Sequence, residues 1–136
     1  MNITLSDING DQVLVIPIVP PDIPLENPTK NTVFETLNGD INIIGIKGLR
    51  EFGWESFFPN REYSFAKAGS DVNAFVYIDF LNDCLDRGLP IRIIVTTDNK
   101  TTFLNMLASI EVWKYDIDAV EDIGYVLGLK EFNEQL

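Results

Sequence analysis

The stretch SDVNAFVYIDFLNDCLDRGLPIRIIVTT, Ser70 to Thr97, reads as one amphipathic helix, a sharp stop and one buried strand. Ser70 or Asp71 can act as N-cap, its side-chain oxygen accepting a backbone N–H that the first helical turn leaves unpaired. From there Ala74, Tyr77, Ile78, Leu81, Cys84 and Leu85 recur at helical spacing and share one face. Asp79, Asn82, Asp83, Asp86 and Arg87 fall opposite and mark the solvated side. Gly88 suits the left-handed residue that ends a helix, and Pro90 bars its continuation. The β-branched run Ile91 to Thr97 then predicts a strand. A helix with one apolar stripe must lie on something, and a sheet built from the strands on either side is the expected partner. Phe75 and Val76 lie off the stripe, which makes them the first candidates for contact with another segment or another chain.

Beyond Thr97, Asp98-Asn99-Lys100 predicts a turn. In Thr101 to Tyr115 the period is ambiguous: Leu104, Met106, Ala108, Ile110 and Val112 alternate as in a strand, while Phe103, Met106, Leu107 and Ile110 match a helix. The flanking turn and the segment Ile110 to Trp113 favour the strand. Asp116 to Gly124 follows as an acidic loop and Tyr125 to Phe132 as a last strand, which should pair with its predecessor.

Before the helix, a short polar start leads into the apolar run Val13 to Val19. There Pro17, which cannot donate to a ladder, assigns the strand to a sheet margin. Residues 17–31 form a proline-rich arm, with four prolines among Pro20 to Pro28, extended and either loosely attached or lying on a neighbour. Its residues Pro20, Pro21, Ile23 and Leu25 join Phe75 and Val76 as candidate contact residues. Thr32 to Leu37 and Ile41 to Ile46 flank Asn38-Gly39-Asp40, a hairpin signal of the type I′ class. Leu49 to Phe58 is a third extended segment, and Pro59 to Gly69 a connecting loop with Tyr63 and Phe65 as expected core anchors.

The chain has 136 residues, ordinary apolar content and no run long and apolar enough to span a membrane, so it is expected to be one soluble domain made in a cytoplasm. The lone Cys84 cannot form an internal disulfide. Ten basic against 21 acidic residues give a formal charge of −11, which disfavours binding to phosphate backbones; solubility is its default reading, and it is also compatible with the wall of a channel that must not grip DNA. With no histidine and one core cysteine, the common general-base, nucleophile and metal-ligand arrangements are missing. The densest carboxylate group, Asp116, Asp118, Glu121 and Asp122, lacks the glycine and terminal glutamate of a calcium loop and reads by default as a solvated turn. No catalytic, cofactor or metal site is assigned.

Several motifs then recur in a familiar order. They are Val15 to Pro21, Glu26-Asn27-Pro28, Asn42 to Arg50, Ser56 to Pro59, Gly88 to Thr96 and Leu127 to Phe132. Together, from about Val13 to Phe132, they resemble the N-terminal region of the LysM-containing baseplate proteins of contractile phage tails, defective prophages and phage-tail-like bacteriocins. The resemblance implies a tail-tube-like β-barrel or sandwich carrying one helix, no catalysis, and a place between the inner tube, the hub and the surrounding baseplate. It also implies a six-fold ring with an acidic lumen, and residence first in the producing bacterium and then in the tail or tail-like particle. The family continues into a LysM domain where this chain stops at Leu136, so cell-wall binding is not carried over.

The expected fold is α+β: six or seven mostly antiparallel strands with one main helix, over residues 1–136. The expected function is structural, in a baseplate. The alternatives are a stand-alone peptide- or carbohydrate-binding module, which should present a concave aromatic patch, and a carboxylate-dependent hydrolase, which should present a cleft holding two acids. A baseplate component should instead leave strand edges that need neighbours.

Overall fold

The computed structural model describes residues 1–133, so the last three positions of the expected domain lie outside the described residues. Its one described helix, α1 (Ala74–Arg87), stops as expected: Gly88 is left-handed (φ 65°), and the N–H groups of Gly88 and Leu89 donate to the Leu85 and Cys84 carbonyls at 3.2 and 2.9 Å. Its start is corrected. The N-cap is Asn73, whose Oδ1 accepts from Phe75 N–H at 3.1 Å. Ser70 and Asp71 are held in the preceding loop, because Ser70 Oγ donates to the Lys67 carbonyl and Asp71 N–H donates to the Tyr77 hydroxyl. Asp71 instead accepts from the backbone of the cap residue itself, at 2.8 Å.

The helix buries Ala74, Tyr77, Ile78, Leu81 and Cys84 as expected, together with Phe80. Leu85 is 48% exposed, against expectation. The buried arc is centred to one side of the anticipated stripe, so it takes in Phe80 and leaves Leu85, in the last turn, at its margin.

That face lies on one antiparallel sheet of six strands in the order β2-β1-β6-β7-β8-β5. The strands are β1 (Asn2–Ser6), β2 (Val13–Val15), β5 (Glu51–Phe58), β6 (Ile91–Thr96), β7 (Thr102–Ile117) and β8 (Ile123–Glu131). The expected marginal strand is β2, which ends before Pro17 and lies at one edge. β1 replaces the polar start: Ile3 and Leu5 are fully buried between β2 and β6. An alternation of only two apolar residues is too short to register as a period. Among the described residues the two remaining strands, β3 (Thr32–Thr36) and β4 (Gly39–Ile43), pair only with each other.

β7 resolves the ambiguous segment as a strand. Leu104, Met106 and Ala108 point into the core, and Ile110 opposes Leu129. The register then shifts between Ile110 and Val112, a β-bulge at Glu111. Beyond it, Trp113 opposes Leu127 and Tyr115 opposes Tyr125, so the inward residues change from even to odd and Val112 turns outward.

The core is stacked around Phe58, whose ring centroid lies 4.6 Å from that of Tyr77 and 4.0 Å from that of Tyr125, both nearly parallel. The phenols are satisfied despite burial. Tyr77 donates to the Val15 carbonyl at 2.6 Å, and Tyr125 accepts from Trp54 Nε1–H at 2.8 Å. Burial pushes both hydroxyls above their ordinary pKa, which keeps them neutral. Of the expected loop anchors, Tyr63 is half-buried, but Phe65 is 62% exposed and stacks on the outer side of Tyr63. Among the described residues no helix is long and apolar enough to cross a membrane.

Candidate functional site

The acidic loop is structural. Asp118 Oδ1 accepts from the N–H groups of Val120 and Asp122 at 3.0 Å, folding the turn on itself. Asp122 points inward, where Asn60 N–H (2.9 Å) and the Tyr63 hydroxyl (2.5 Å) donate to it. Burial raises its carboxyl, but Asn60, Tyr63 and Arg61 together outweigh that and hold it below the ordinary carboxylate range. Asp116 lies in β7, outside the turn. Among the described residues no three of Cys, Asp and Glu gather as metal ligands.

The candidate contact residues are scattered. Phe75 is 46% exposed at the start of α1. Val76 sits on the Phe80 side and packs, half-buried, against the core. In the arm, Pro20 is buried, Ile23 and Leu25 pack partly against the core, and Pro21 alone of the four is exposed. The arm is therefore attached to its own chain over its first half. Pro20, Pro21 and Pro24 border an open trough floored by Gly53, Val112 and Gly128 on the outer side of β5, β8 and β7. Gly53 and Gly128 oppose each other in register. A side chain at Gly53 would meet the Leu127 carbonyl at 2.8 Å, so the floor is bare because the backbones there leave no room.

From Glu26 onward the arm becomes one leg of a projecting ribbon. Glu26 and Glu51 exchange both backbone hydrogen bonds, at 3.0 and 3.2 Å. Pro28 accepts from Gly48 N–H (2.8 Å), and Lys30 N–H donates to Ile46 (3.0 Å). The Asn31 side chain accepts from Gly45 N–H at 2.9 Å. A Cβ on Gly45 would lie 1.8 Å from the Lys30 carbonyl oxygen, so the legs close only over glycine there. The ribbon then runs into β3 and β4.

The turn differs from expectation. Leu37 and Asn38 are its central residues and neither has positive φ; the positive φ (116°) falls on Gly39, which opposes Thr36. That matches a type I turn followed by glycine, in place of type I′.

Every residue of β3 and β4 is exposed. The pairs Thr32–Ile43, Phe34–Ile41 and Thr36–Gly39 share one face, and Val33–Asn42 and Glu35–Asp40 the other. One face is thus apolar, with Phe34 and Ile41 each 52% and Ile43 48% exposed, and the other carries two carboxylates beside an exposed Val33. Leu37, Ile44 and Ile46 add bare apolar surface around it. An isolated two-stranded hairpin is marginal in water, and such an apolar face marks a contact site.

None of the six anticipated contact residues lies on this face. The hairpin was legible in the sequence, but its isolation was not, because the extended segment that follows, Leu49 to Phe58, could have paired with it. The chain matches no protein-family model, and no curated protein matches it.

Proposed function

We propose that this protein is a non-catalytic structural component of a contractile tail baseplate, tail-tube-like in fold, that joins inner tube and hub to the surrounding baseplate as a homo-oligomeric ring. The observation that carries the reading is the β3–β4 hairpin, which projects an apolar face that its own chain leaves uncovered. The antiparallel sheet with a single covering helix and the acidic surface are in keeping with it, as is the motif order that resembles the N-terminal region of LysM-containing baseplate proteins. Enzymatic work is not part of the proposal, and the acidic turn is spent on folding its own loop.

The test is electron microscopy of the intact particle, made with the wild-type chain and with a chain whose residues 31–46 are replaced by a short turn. The expected result is density for the wild-type chain at the junction of tube and baseplate, with the hairpin buried against a neighbour, and its loss for the shortened chain. Unchanged incorporation of the shortened chain overturns the reading.

A further inference from the structure

β7 is paired unequally. β6 covers it from Thr102 to Ala108 and stops at Ile91, while β8 covers it from Ala108 to Ile117. Among the described residues, the side of Ser109–Ile117 facing away from β8 receives no backbone partner, leaving an open edge of nine residues without proline. Because no strand lies beyond it, two side chains aligned with the core face are left half bare: Tyr115 at 48% and Ile117 at 59% exposure. On the opposite face Val112, Lys114 and Asp116 are exposed.

We infer that this edge accepts the β3–β4 hairpin of a second copy of the chain as an added strand. The apolar faces match. A hairpin strand paired along Ser109–Ile117 continues the core face with Phe34, Ile41 and Ile43 beside Tyr115 and Ile117, while on the outer face Val33, Glu35 and Asp40 join the mixed row Val112, Lys114 and Asp116. The outer edges of β3 and β4 are themselves unpaired. The hairpin of the same chain is badly placed for this role. Its ribbon roots at β5, and β8 lies between β5 and β7, so it would have to cross two strands to reach the far edge. Hairpin to edge is a head-to-tail contact, which propagates into a ring where its rotation closes and into an open filament where it does not. The inference rests on reading the hairpin as a contact surface and is independent of which particle the chain belongs to.

The experiment is sedimentation velocity on the purified chain and two variants. Wild type should form concentration-dependent species larger than a dimer. F34D/I41D removes the hairpin face and K114E/I117E removes the edge; each alone should be monomeric, with the association constant lowered about tenfold or more. Their circular dichroism melts should stay near wild type, because all four residues are exposed. Mixed together, they should give a one-to-one heterodimer, since each keeps the half that the other lacks. A monomeric wild type, a self-associating K114E/I117E (hairpin to hairpin), a self-associating F34D/I41D (edge to edge) or a mixture that stays monomeric each overturns the inference. Should it fail while the shortened hairpin still blocks incorporation into particles, the structural reading stands with a different acceptor.

Discussion

Phe58 and Asp122 lie close together in the structure and show how differently single residues read from a sequence. Phe58 was one aromatic among many; its position between the Tyr77 and Tyr125 rings makes it the centre of the core. Phe58→Ala should cost about 3–5 kcal/mol in urea unfolding, because two flanking rings that are themselves hydrogen-bonded cannot collapse into the void. Asp122 was one carboxylate among four at short spacing, and spacing alone does not say which acid turns inward. Its carboxyl and that of Glu131 are both held low in the folded chain: Glu131 by hydrogen bonds from the Arg50 side chain and backbone, Asp122 by donors that overcome its burial. A carboxyl depressed by folding stabilises above its unfolded pKa, and that contribution is lost as pH falls through the folded value. Urea unfolding should therefore show stability draining away below the ordinary carboxylate range, and D122N/E131Q should flatten that acid limb while lowering stability at neutral pH.

At the scale of elements, what was legible followed from strong local chemistry. Gly88 and Pro90 fixed the helix stop, the β-branched run fixed β6, and Pro17 placed β2 at a margin. What was not legible depended on distant partners. The helix start moved to Asn73 because Tyr77 and Asn60 claim the backbone of Asp71 and Ala74, competition that no local window contains. Asn73→Ala should accordingly cost about 1 kcal/mol in chemical denaturation, the usual value of a lost cap. The bulge at Glu111 was hidden for a related reason. An alternating run looks continuous until its partner strand shows where one residue is left over. The hairpin was visible, but its isolation was not, since nothing in Thr32 to Ile43 itself says that the six-stranded sheet will close without it.

For the whole molecule, the division is between a sheet-and-helix body and a ribbon that adds nothing to its core: the buried cluster contains no residue of β3 or β4. Replacing residues 31–46 by a short turn should leave the circular dichroism spectrum helix-containing and the melting temperature within a few degrees of wild type, because no core contact is removed. A large drop would show that the ribbon stabilises the body. The α+β class and the covering helix could be read from the chain; the exposed apolar face of the hairpin could not, because exposure is a property of the finished assembly of strands.

The exchange of two backbone hydrogen bonds between Glu26 and Glu51 has a mechanical side. Both legs of the ribbon are fastened at the first residue of β5, whose eight-residue ladder to β8 runs on from that clamp. Force on the Leu37 tip therefore enters the body at β5, an edge strand of the sheet, and meets its eight-residue ladder to β8 first.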